Sequence, residues 1–335
     1  MFLGVDGGGT KTAFCMVDRS GQVVARAQAA SSYYFSHGIE LVERVLKEGV
    51  EAVCTAAGLA PADIEYAFFG LPGYGEAARD LPVLNATPRA VLGHDRYACD
   101  NDMVCGWAGS LGAVDGINVI SGTGSMTYGE RLGRGVRIGG WSEMFGDEGS
   151  AHWIAIRGLN AFSRMGDGRL PEGPLAEVFR RHLHLASDLD VIDVVHNQWQ
   201  GDRSRIAALS RSVAEAAALG DAVAAEILTD AGRELALLVD VTRERLEFGP
   251  DETVPVSYSG GTFGAHLVLE AFTTGLRNSG LRNRPAHYEL RHPLYEPVVG
   301  AALYAAKLAG TPLDQPALDT LRLASRTPAS GEDDR

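Results

Sequence analysis

The sequence predicts an α/β protein of two domains. Three observations carry that prediction: a β–α–β order of patterns near the N-terminus, a partial repeat of the same plan after residue 115, and three glycine-rich turns that each follow a β-like run. The chain of 335 residues is long enough for two cores.

Residues 2–28 read as a three-strand meander. Phe2-Leu3-Gly4-Val5 leads into the first turn, Thr12 to Val17 is the second run, and Asp18-Arg19-Ser20-Gly21 turns the chain into Gln22 to Arg26. Leu41, Val42, Val45, Leu46, Val50 and Val53 recur at helical spacing between Ile39 and Ala57, and Gly58 stands where a helix would end. Tyr66 to Leu71 is a buried strand. Ile117 to Ile120, Met126 to Glu130 and Gly135 to Ile138 repeat the opening plan, as a diverged duplication would. Residues 149–247 are mostly helical, with a break near Gly220. Val254 to Tyr258 and His287 to Leu290 are strands, and Pro297 to Leu308 is a helix with proline in its first turn. Residues 326–335, rich in Pro, Ser, Gly and acids, read as a disordered tail.

Composition bounds the function. A net charge of -13 argues against nucleic acid or an anionic membrane as partner. There is no apolar run of membrane-spanning length, and Met1 leads straight into a strand without a basic leader, so a cytoplasmic location is expected. The four cysteines, Cys15, Cys54, Cys99 and Cys105, form no Cys-x-x-Cys pair and read as buried reduced thiols.

The turns are Asp6-Gly7-Gly8-Gly9-Thr10-Lys11-Thr12, Ile120-Ser121-Gly122-Thr123-Gly124-Ser125 and Tyr258-Ser259-Gly260-Gly261-Thr262-Phe263-Gly264. Glycine lets backbone N–H groups approach phosphate oxygens, and adjacent hydroxyls add donors, so the set points to a nucleotide held between two halves of the molecule. In the first turn Gly7, Gly8, Gly9, Thr10, Lys11 and Thr12 are phosphate candidates, and Asp6 is placed to hold Mg²⁺ through water. Ser121, Gly122, Thr123 and Gly124 repeat the logic. Gly260, Gly261 and Thr262 leave a slot for the adenosine ring. Each turn read alone is also compatible with a hairpin or strand–helix turn that merely needs glycine. None has the Gly-Lys-Ser/Thr ending of a P-loop.

Ile120 to Ser125, then Gly139-Gly140-Trp141, then Gly146-Asp147-Glu148-Gly149-Ser150-Ala151-His152-Trp153-Ile154 resemble the N-acetylglucosamine kinases of the actin, sugar kinase and heat-shock-chaperone ATPase superfamily. More narrowly, the chain is similar to the ATPase family that joins those kinases to activators of 2-hydroxyacyl-CoA dehydratases. The resemblance spans residues 2 to about 309 and is weak between 165 and 250. It implies two actin-like (ribonuclease H-like) domains with an ATP cleft between them. Residues 1–115 plus about 297–325 would form one, and 116–296, with helical insertions, the other. It implies ATP and Mg²⁺ as cofactors, a small-molecule sugar as partner, and a homodimer.

The resemblance makes Asp102 the catalytic base that takes the proton of the attacking sugar hydroxyl, with Asp100 as neighbour and competitor. Read alone, Asp102 suits a helix N-cap equally. Asp102, Trp141 and Asp147 become sugar contacts by the same resemblance, whereas Asp147 and Glu148 read alone would complement a helix dipole. Tyr33 stands where similar kinases carry a sugar-binding asparagine, which puts N-acetylglucosamine itself in question. The alternative for Tyr33, Tyr34 and Phe35 is interdomain packing. The activator branch needs cysteines that bridge an iron–sulfur cluster, and none adjoins the third turn. The implied reaction is ATP-dependent phosphorylation of an amino sugar or a related hexose, at the 6-hydroxyl. A non-catalytic sugar sensor and an ATPase that energises a partner protein are the alternatives.

Overall fold

The computed structural model describes residues 1–278 and 286–326. The first half runs β1 (Phe2–Gly7), β2 (Lys11–Val17), β3 (Val23–Ala30), α1 (Glu40–Ala57), β4 (Tyr66–Leu71), α2 (Leu81–Leu92), β5 (Tyr97–Asn101) and α3 (Met103–Leu111). Next come β6 (Gly116–Ser121), β7 (Ser125–Arg131), β8 (Arg134–Gly139), α4 (Ala151–Gly166), α5 (Pro174–Leu183) and the single turn α6 (Asp190–Ile192). The remainder is α7 (Arg203–Ala208), α8 (Ser210–Ala218), α9 (Ala222–Arg245), β9 (Thr253–Ser259), α10 (His266–Arg277), β10 (His287–Arg291), α11 (Pro297–Leu308) and α12 (Gln315–Arg326). The expected tail lies outside the described residues, except Arg326, with which α12 ends.

The chain divides into two compact units, Met1–Val114 with the segment from Pro293 onward, and Asp115–His292. In the first unit the strand order is β3-β2-β1-β4-β5, with β1 antiparallel to β2 and parallel to β4. A strand in that central position is covered on both faces, so Phe2, Leu3 and Val5 are all buried. α1 ends as its pattern indicates: Gly58 adopts φ +67° and donates to the carbonyls of Cys54 and Thr55. Residues 297–308 return to this unit because glycines let the backbones touch. A Cβ on Gly4 would stand 2.3 Å from Val298 O, and one on Gly300 would stand 2.0 Å from Gly109 N.

In the second unit the order is β10-β9-β6-β7-β8, and every pairing has the same sense as its counterpart in the first. Thus β6 to β10 retrace β1 to β5. α4 to α10 cover this sheet with a core that includes Phe162, Phe179, Leu235 and Phe272. The helical break near Gly220 is real: Gly220 has φ +92°, and Asp221 caps α9 by accepting from Ala224 N.

Candidate active site

The carboxyl edge of the first sheet gathers three carboxylates. Register places Asp6 beside Gly70 and Gly70 beside Asp100. Gly70 has no room for a side chain, since a Cβ would meet Cys105 Sγ at 2.3 Å and Asp102 Cα at 3.1 Å. The start of α3 is thereby pressed onto the end of β4. The Cys105 thiol reaches both the Asp6 carboxylate and, at 3.5 Å, Val5 O. Burial, and then the facing Asp102 carboxylate, push Asp6 up to about 7. The cysteines are reduced, and burial drives the Cys105 thiol well above its usual range.

Asp102 begins α3 but makes no side-chain cap bond. The capping duty falls to Asn101, whose Oδ1 accepts from Met103 N at 3.2 Å. The cap alternative therefore does not describe Asp102. Asp100 accepts from Asn101 N at 2.7 Å.

The first turn uses its residues unevenly. Gly7 is required by packing, because a Cβ there would meet Pro72 Cδ at 2.5 Å and Ser32 Oγ at 2.6 Å. Gly8 N–H closes the turn on Lys11 O, and Thr12, fully buried, donates to Ser32 Oγ at 3.1 Å. Neither group was expected to be committed within the fold. Gly9, Thr10 and Lys11 are the exposed members, and Gly9 has open space around its Cα. Ser31 Oγ donates to Gly8 O at 2.8 Å and accepts from Tyr33 N, tying the 31–35 loop to the turn. Asp6 and Lys11 line one cavity of about 470 Å³ with Arg26, Gln28, Glu296 and Pro297. Tyr33 is exposed with its ring edge-on to Phe35, while Tyr34 is buried, stacks on Phe35 and donates to Asp80. Tyr34 thus packs within the first unit.

In the second unit, parallel pairing of Ile120 with Ser259 sets the second and third turns side by side. Ser121 is buried and donates to Gly149 O, which commits its hydroxyl proton within the fold. Ser125 likewise donates to Glu148 O at 2.6 Å. Gly122 N–H donates to Gly124 O, and Gly122 O accepts from Ala151 N at the start of α4. Thr123 is exposed. Gly260 has φ +108°, and Thr262 is buried with its hydroxyl 3.5 Å from Gly122 O. Gly261 is exposed and unobstructed.

Asp147 is 3 % exposed and left-handed at φ +57°. Its Oδ2 accepts from Arg203 Nη2 at 2.6 Å, and Ser125 N–H also donates to its carboxylate. Burial pushes Asp147 above the usual carboxylate range, and Arg203 opposes that shift. Ser150 caps α4, accepting from Trp153 N. Gly124 must lack a side chain because its Cβ would meet Arg203 Nη2 at 2.6 Å and Asp147 Oδ2 at 2.7 Å. Trp141 projects outward, 71 % exposed. Arg203 escaped the sequence reading; it lies in the helical stretch of weakest resemblance and belongs to no motif.

Two sheets of this shared connectivity, each with a glycine turn after its first strand, define an actin-like α/β fold. A candidate N-acetylglucosamine kinase of Chromobacterium violaceum superposes with TM-score 0.64 at 25% identity, over 92% of this chain and 98% of that one. A ROK family glucokinase from Streptomyces griseus shares the fold, with TM-score 0.51 at 18% identity over 91% and 99%. The sequence pattern of the BadF/BadG/BcrA/BcrD ATPase family matches residues 3–305, and the chain belongs to that family. It is 29% identical to an N-acetyl-D-glucosamine kinase of Dictyostelium discoideum, over 91% of this chain and 97% of that one. It is 31% identical to an N-acetylmuramic acid/N-acetylglucosamine kinase of Clostridium acetobutylicum, over 81% and 88%.

Proposed function

We propose that this protein is an ATP-dependent kinase of an amino sugar, N-acetylglucosamine, glucosamine or a close relative, acting at the 6-hydroxyl. The observation that supports it most is Asp102, which stands at the sheet's carboxyl edge facing Asp6 and is not spent on capping α3. The similarity to amino-sugar kinases over most of the chain supports the substrate class.

Asp102 takes the proton of the attacking hydroxyl. Gly9, Thr10 and Lys11 in one unit, and Gly122, Thr123 and Gly124 in the other, are the turn members that contact phosphate. Gly260, Gly261 and Thr262 flank the adenosine. Asp147 and Trp141 contact the sugar, and Tyr33 sets what its amino substituent meets. Among the described residues no group of three or more His, Cys, Asp or Glu is placed to hold a metal. One carboxylate, water and phosphate oxygens are a donor set that suits Mg²⁺, so Asp6 would hold it through water. When bound, Mg²⁺ neutralises phosphate charge. A homodimer is proposed from the resemblance, and a cytoplasmic location from the sequence pattern; among the described residues no helix is long and apolar enough to cross a membrane.

A coupled ADP-release assay over N-acetylglucosamine, glucosamine, N-acetylmuramic acid, N-acetylmannosamine and glucose tests the reading. Sugar-dependent ADP release by an amino sugar is expected. Sugar binding without turnover would favour a sensor, and sugar-independent ATP hydrolysis a partner-energising ATPase.

A further inference from the structure

We infer that Arg203 is a positioning residue for sugar binding, an ionic clamp that holds the 141–147 loop against the second glycine turn. The inference rests on the reading of Asp147 and Trp141 as sugar contacts.

The loop cannot hold itself by burial. Trp141, Met144 and Phe145 are 71%, 84% and 73% exposed, so the usual apolar driving force is missing from its middle. It is held near its end by polar contacts. Arg203 donates through Nη2 to Asp147 at 2.6 Å, and its Nε lies 3.2 Å from Glu143 Oε2. One guanidinium thus bridges two carboxylates four residues apart. Its planar fork suits that geometry; an ammonium would serve as a single point charge.

The clamp also explains two neighbouring features. The Arg203–Asp147 pair occupies the space where a Gly124 side chain would stand, so the phosphate turn and the loop share one contact point. Asp147 sits near Glu143, Glu148 and the buried His152, with Arg203 as the cation that opposes its burial. Without Arg203 a buried carboxylate would face two like charges. Such a group protonates or swings outward, and the loop moves with it.

The test compares wild type with R203K, R203M and D147N in two assays. One measures KM for ATP and for the sugar with the highest kcat/KM in the ADP-release assay. The other measures chymotrypsin cleavage after Phe145, read by mass spectrometry, with thermal unfolding recorded for each variant. R203M is expected to raise the sugar KM roughly tenfold or more, as small displacements in a binding site do. It should change the ATP KM less than about twofold and accelerate cleavage after Phe145 several-fold. R203K should fall between R203M and wild type in both assays. Wild-type sugar KM and wild-type cleavage in R203M would overturn the clamp. If R203M does not fold, R203K decides by the same two readouts. An unchanged sugar KM in D147N would instead overturn the sugar-contact reading, while the cleavage assay still judges the clamp.

Discussion

Gly260 is folded so tightly against Ser121 that a Cβ on it would lie 2.1 Å from the Ser121 carbonyl oxygen. The contact joins the third glycine turn to the second through backbone alone. It also separates two kinds of glycine that look identical in sequence. Gly260 serves the fold, with φ +108° and a backbone obstacle, whereas Gly261 has no obstacle within 4 Å.

Gly260→Ala is therefore expected to destabilise the protein by at least about 1–3 kcal/mol from backbone strain alone. Gly261→Ala should keep wild-type stability and weaken ATP binding. Denaturant unfolding and ATP titration calorimetry on both variants check this. Equal stability of the two would contradict the assigned geometry.

Gly122 offers a cleaner probe of phosphate approach. It has open space around its Cα and no left-handed backbone, so a methyl group costs the folded protein little. Gly122→Ala should leave the melting temperature within a few degrees of wild type and lower ATP affinity, with sugar binding measured without nucleotide unchanged. Parallel loss of both affinities would show that the turn is structural.

Much of this was legible in the sequence because local rules decide it. The strands around the turns and the helix ending at Gly58 follow period and glycine placement. The repeated sheet plan showed through because β6 to β8 reuse the order of β1 to β3. What each turn residue does was not legible. Thr12 and Ser121 read as phosphate donors, but tertiary partners, Ser32 and Gly149, take their hydroxyl protons. Arg203 was invisible because its partner lies 56 residues away and charge pairs at that distance leave no periodic trace.

Tyr33 decides the substrate prediction. Its exposed ring follows Ser31, whose hydroxyl holds both Tyr33 N and Gly8 O. If its phenol replaces a matched amide contact, N-acetylglucosamine loses roughly 1–3 kcal/mol, about 5–150-fold in affinity. Tyr33→Asn is then expected to raise kcat/KM for N-acetylglucosamine relative to the wild type's best sugar. A low-micromolar wild-type KM for N-acetylglucosamine, unchanged by the substitution, would place Tyr33 outside the pocket.

The role of Asp102 is the centre of the account, and turnover of Asp102→Asn at saturating ATP and sugar tests it most directly. The side chain keeps its size and makes no cap bond that the change would break. A fall in kcat of roughly 10²–10⁴-fold, with the circular dichroism spectrum and ATP affinity of the wild type, is the predicted result. Retention of more than about a third of wild-type turnover, well outside that range, would contradict the assignment and shift it to Asp100.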